Sequence, residues 1–187
     1  MHKTRFFLSM ALAIALILTL APVCLADGFT LTSPTITDGG TLIEKHLLNG
    51  FGCTGDNISP ALEWQNPPAG TKSFAITVYD PDAPTGSGWW HWVVFDIPKT
   101  TTGLAEDATG NGQLPAGAIQ SRTDFGAPGF GGACPPEQDK AHRYIFTIHA
   151  LDIETLGLTP DSSAAMVGFF LHAHSLGSAS LTAQYGR

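Results

Sequence analysis

The chain has 187 residues, 16 acidic side chains against 9 lysines and arginines, and a formal charge of −7. A charged fraction of 13% with 10% aromatics excludes a disordered chain, and 21 glycines with 13 prolines exclude a helix bundle. The acidic balance excludes general nucleic-acid binding, which needs a basic face to displace phosphate counterions. In chain order, Lys3 and Arg5 precede an apolar run from Phe6 to Leu20, followed by Pro22 and Cys24-Leu25-Ala26. This is the layout of a secretory signal peptide, 1–26, cleaved after Ala26. The run is shorter than the about 20 apolar residues of a membrane span. No stable membrane insertion is therefore expected after cleavage; the alternative is retention as an uncleaved anchor. Cleavage leaves one domain, 27–187, of 161 residues with a charge of −9. A domain of that size buries roughly 70% of its unfolded surface and needs no staple to fold.

Within that domain, short apolar runs alternate with turn signals. Strands are predicted at Phe29–Ser33, Ala61–Gln65, Ser73–Tyr79, Trp90–Ile97, His142–Leu151 and, more weakly, Ser178–Tyr185. Ser73–Tyr79 alternates: Phe74, Ile76 and Val78 face one way, Ala75, Thr77 and Tyr79 the other. Residues 100–132 form a long Gly-rich stretch of the kind that carries function. Pro160-Asp161-Ser162 caps a helix over Ser163–His174. That helix is apolar nearly all round, which predicts packing in or on a core. Cys53 and Cys134 remain in the exported chain, and an even pair in an oxidising compartment reads as a disulfide. The alternative is two buried free thiols.

Polar chemistry gathers in three places. Asp80-Pro81-Asp82-Ala83-Pro84 follows the best strand, and its prolines stiffen the exit. Trp89-Trp90-His91-Trp92 opens the next strand, which puts His91 11 residues after Asp80. Gly126 to Pro136 is a glycine loop whose N–H groups suit an anion-holding concavity. It leads into His142-Arg143-Tyr144, where period two places His142 and Tyr144 on one face. His172-x-His174 is a poor chelate, because i and i+2 on a helix point about 200° apart. There is no HExxH, CxxC, GxSxG, GxxxxGK[ST] or GxGxxG, so no metal, cofactor or nucleotide loop is expected.

Together the Asp80–Pro84 segment, Trp89-x-His91, Gly131-Gly132 with Pro135-Pro136, and His142-Arg143-Tyr144 resemble the phosphatidylethanolamine-binding protein (PEBP) family. The likeness is to exported members of its bacterial Raf-kinase-inhibitor-like branch and runs from Phe29 to Tyr185. It implies a mostly β, PEBP-like fold: a large central antiparallel sheet, a second smaller sheet and a few peripheral helices. It also implies a non-catalytic, regulatory binding protein with a small pocket for phosphate, acetate or a phosphorylated ligand, and room for a protein partner. Carried over by position, the pocket comprises Asp80, Asp82, Trp89, His91, Gly132, Pro135, His142 and Tyr144. Cys134 stands where animal members have glycine. The chain stops soon after Tyr185, without the C-terminal helix that closes the pocket in those members.

In the expected pocket, protonated His91 and His142 and the glycine-loop N–H groups hold the anion. Asp80 or Asp82 orients an imidazole and raises its pKa, and the other carboxylate with Trp89 receives a cation. Phosphoethanolamine then fits better than phosphate. Two alternatives stand beside this reading. One is an inhibitor of a secreted protease acting through an exposed segment. The other is a hydrolase using Asp80 and His91 as acid and base, for which no nucleophile or metal is evident.

Overall fold

The structure, a computed structural model, describes residues 28–187. The predicted leader 1–26 and its cleavage point after Ala26 lie outside the described residues. In chain order the strands are β1 (Thr30–Thr32), β2 (Asn49–Gly50), β3 (Cys53–Thr54), β4 (Leu62–Gln65), β5 (Ser73–Asp80), β6 (Trp89–Pro98), β7 (Gly103–Leu104), β8 (Ile119–Gln120), β9 (His142–Leu151) and β10 (Ser175–Tyr185). Among the described residues one α-helix, α1 (Ala164–His174), precedes β10, and a 3-10 turn covers Glu44–His46.

The main sheet is antiparallel and runs β10-β9-β5-β6-β8; a smaller sheet runs β1-β4-β7, and β2 with β3 forms a hairpin. β5 lies at the centre because its two faces are both apolar enough to be covered. Phe74, Ile76 and Val78 join Trp92, Val94, Phe146, Ile148 and the small sheet's Leu62 and Trp64 in the larger core. Ala75 faces the other way, into a second core with Val93, Phe95, Leu151 and the α1 residues Ala164, Val167 and Leu171. The predicted alternation holds, and a layer lies on each side of the strand. Each fully buried large side chain contributes about 1.5–3 kcal/mol by leaving water.

Two elements differ from expectation. Ser163 is the cap of α1 and not its first residue: its Oγ accepts the Met166 N–H at 3.2 Å. The helix also buries only one face, leaving Met166 49% and Phe169 69% exposed. It docks against one side of the sheet as an outer layer, so apolar residues on its far side have nothing to pack on. The last strand begins at Ser175, three residues early. Pairing with β9 from Ser175↔Leu151 to Tyr185↔His142 carries a run of small residues that lacks strand propensity of its own.

Candidate functional site

At one end of the main sheet, β5 ends while β6 and β9 begin. The register sets Asp80 across from Trp89 on one side, and β9 starts on the other. This juxtaposition leaves a cavity of about 180 Å³. Six of the eight predicted residues line it: Asp80, Trp89, His91, Pro135, His142 and Tyr144. Phe51, Phe125, Ala83-Pro84-Thr85, Cys134 and Pro136 complete the wall.

The polar floor is tightly wired. Asp80, 3% exposed, receives the Nδ1–H of His142 on Oδ2 at 2.7 Å. Its Oδ1 accepts the N–H groups of Asp82 (2.8 Å) and Ala83 (3.1 Å). The Asp80-Pro81-Asp82 turn thus folds back on the carboxylate that anchors it. His142 is fixed with Nδ1 as donor, and its Nε2 points away from Asp80, 3.6 Å from the Asp139 carboxylate.

His91 is held differently. Its Nδ1–H donates to the Gly131 carbonyl at 2.7 Å, and Gly131 N–H donates back to the His91 carbonyl at 2.9 Å. Nε2 has no partner among the described residues. Burial pushes the His91 pKa down, since desolvation disfavours the imidazolium, against the opposing pull of the Gly131 hydrogen bond and the Asp80 charge. Tyr144 packs edge-on to His91 at 5.1 Å between ring centroids. Its buried hydroxyl has no partner among the described residues, and burial followed by the Asp80 charge raises its pKa, so it stays a donor.

Two predicted residues lie elsewhere. Asp82 turns outward, where its carboxylate takes the Arg143 guanidinium as a fork (Nε 2.8 Å, Nη2 2.7 Å) and the Arg143 N–H at 2.9 Å. That hydrogen bonding holds its pKa at about 2. Asp82 is therefore committed and can neither orient an imidazole in the cavity nor receive a cation there. Gly132 is buried behind the wall. Its N–H donates to Asn57 Oδ1 at 2.7 Å, and a Cβ there would overlap the Leu47–Leu48 backbone.

The Gly131–Ala133 part of the loop therefore offers no free N–H to an anion. The N–H groups of Gly131, Gly132 and Ala133 are all spent, on His91, Asn57 and His46. Its glycines allow close packing: a Cβ on Gly131 would run into the Phe125 ring. Among the described residues, no lysine or arginine lines the cavity. None of the described His, Cys, Asp and Glu side chains forms a group of three that could hold a metal ion.

The rim is aromatic. Phe125 stacks with Phe51 (5.9 Å) and meets Trp89 (5.4 Å) and His91 (5.3 Å) edge-on. The Cys53–Cys134 disulfide (S–S 2.04 Å) ties the β2–β3 hairpin to the Pro135-Pro136 wall. Sequence reading missed Phe51, Phe125 and Asn57. Only the expected disulfide pointed toward Phe51, by bringing its hairpin beside Cys134.

Fold and cavity together define a mostly β binding domain, with a polar floor of two imidazoles and a phenol under an aromatic rim. The chain belongs to the phosphatidylethanolamine-binding protein family, whose profile matches residues 32–186. It is 54% identical over 156 residues to the UPF0098 protein YbhB of Escherichia coli K12, covering 83% of this chain and 98% of that one. The crystal structure of Escherichia coli YbcL matches with a TM-score of 0.83 at 52% identity, covering 85% of this chain and 98% of that one. The PEBP homologue of Chlamydia trachomatis matches with a TM-score of 0.72 at 29% identity, covering 85% and 97%.

Proposed function

We propose that this protein is an exported, non-catalytic binding protein whose pocket takes the oxyanion of a phosphate or phosphorylated small ligand. The observation that carries this reading is the pair His91 and His142. Both line the cavity with Nδ1 spent on the protein; His91 keeps Nε2 without a partner among the described residues, while His142 Nε2 lies 3.6 Å from the Asp139 carboxylate. With no fixed cation in the lining, anion affinity must come from protonating an imidazole, with the Tyr144 hydroxyl as a neutral donor. Burial opposes that protonation at His91, and an incoming oxyanion favours it, so binding takes up a proton. Phosphate affinity should therefore fall as pH rises above the depressed His91 pKa, by up to about tenfold per unit.

Calorimetric titration of inorganic phosphate between pH 5 and 8 tests this. The His91→Ala, His142→Ala double variant should lose binding. Unchanged affinity in that variant, or a profile flat with pH, rejects the site. Export is supported by the N-terminal pattern of charge, apolar run and small residues, and by a disulfide that needs an oxidising compartment.

A further inference from the structure

We infer that Phe51, carried on a turn over the mouth of the pocket, is a specificity-determining side chain. It lies against the organic substituent of a phosphate monoester, and so makes the site prefer such an ester to bare phosphate. The inference rests on the oxyanion site proposed above.

Folding does not account for Phe51. β2 and β3 pair as Gly50↔Cys53, which leaves Phe51-Gly52 as a two-residue hairpin turn with φ of 52° and 86°. Positive φ at both central positions is the type I′ turn, which favours asparagine, aspartate or glycine at the first. A bulky aromatic there is a conformational outlier. The residue is also 70% exposed, so the core gains little from it. An unfavourable backbone state and an unfavourable exposure meet at one residue, and that residue lines the cavity.

The turn is also fastened in place. A two-stranded hairpin alone is marginal in water, but this one is tied twice to the opposite wall. One tie is the Cys53–Cys134 disulfide. The other is Arg187, whose Nη1 and Nη2 donate to the Gly52 and Phe51 carbonyls (3.3 and 3.4 Å) while its Nε donates to the Pro135 carbonyl at 2.7 Å. Phe51 is thereby held over the opening, stacked on Phe125. An ester whose oxyanion reaches the histidines must project its substituent out through this aromatic mouth. Inorganic phosphate has nothing to place there.

Calorimetry of the exported chain with inorganic phosphate and phenyl phosphate is the test. The wild type should bind phenyl phosphate about tenfold more tightly, the scale of one aromatic pair. Phe51→Asn suits the left-handed turn position. It should abolish the preference, by weakening phenyl phosphate binding more than phosphate binding, and raise the unfolding midpoint. Arg187→Ala should reduce the preference in the same direction. A wild type that binds phosphate without preferring the ester overturns this inference alone, as does a preference that survives Phe51→Asn. A Phe51→Asn protein that loses stability makes the ring structural and also overturns it. A wild type that binds neither ligand overturns the oxyanion site itself, and this inference with it.

Discussion

Three histidines inside the fold, His46, His91 and His149, have pKa values pushed down chiefly by burial, His149 to about 4. Each accepts a proton less readily folded than unfolded. Between about pH 6.5 and the folded value, the unfolded chain binds more protons, so stability falls as pH drops through that window. His149 gives the cleanest case, because it lies outside the candidate pocket, with Nε2 3.1 Å from Thr77 Oγ1 on the α1 side of the sheet. Its shift from 6.5 to about 4 makes the folded state about 2–3 kcal/mol less stable at pH 4.5 than at neutral pH. His149→Leu should remove that part of the acid sensitivity. Urea unfolding of both proteins at pH 7 and 4.5 measures it, and an equal pH drop in the two would refute the assignment. Asp82 acts lower: the stability it gains from Arg143 is present above the usual carboxylate range and disappears as pH falls toward about 2.

At the scale of elements, the loop from Gly126 to Pro136 shows what sequence reading reaches and where it stops. Its place beside the cavity was legible, because strands announce themselves by local periodicity and the polar segments sat at strand ends. Its mechanism was not. Glycine serves equally for a free N–H and for a close approach, and only the surrounding backbone decides between them. Gly132 is of the second kind, so Gly132→Ala should destabilise the domain by about 2–3 kcal/mol through overlap with Leu47 and Leu48. Denaturant unfolding checks this. A stable Gly132→Ala protein with selectively lost phosphate binding would restore the anion-loop reading. The same limit explains the carboxylates. Asp80 and Asp82 looked equivalent by spacing, but β5 lies between β6 and β9, and the Asp82 side chain leaves toward Arg143. The apolar helix α1 was legible as a helix; that it docks through one face only depends on where the sheet ends.

Across the whole molecule, one covalent link joins compartment, stability and site. Cys53 and Cys134 are 81 positions apart, and chain-entropy reasoning gives such a loop about 4–4.5 kcal/mol of stabilisation. The link also bridges the two walls of the cavity. An exported chain forms it, whereas one kept in a reducing cytosol does not. The Cys53→Ser, Cys134→Ser double variant should therefore unfold with a free energy about 4 kcal/mol lower than the oxidised protein, and reduction of the wild type should approach the same value. The native protein recovered from its cell should begin at Asp27 and show no alkylatable thiol before reductant is added. Two reactive thiols in that material would place the protein in a reducing compartment and remove both the proposed export and the fastening of the Phe51 turn. The exported chain 27–187, with a net charge of −9, repels anions at long range, so a site of this kind depends on walls that stay closed around its imidazoles, and the disulfide is the covalent one of the two ties that hold two of them together.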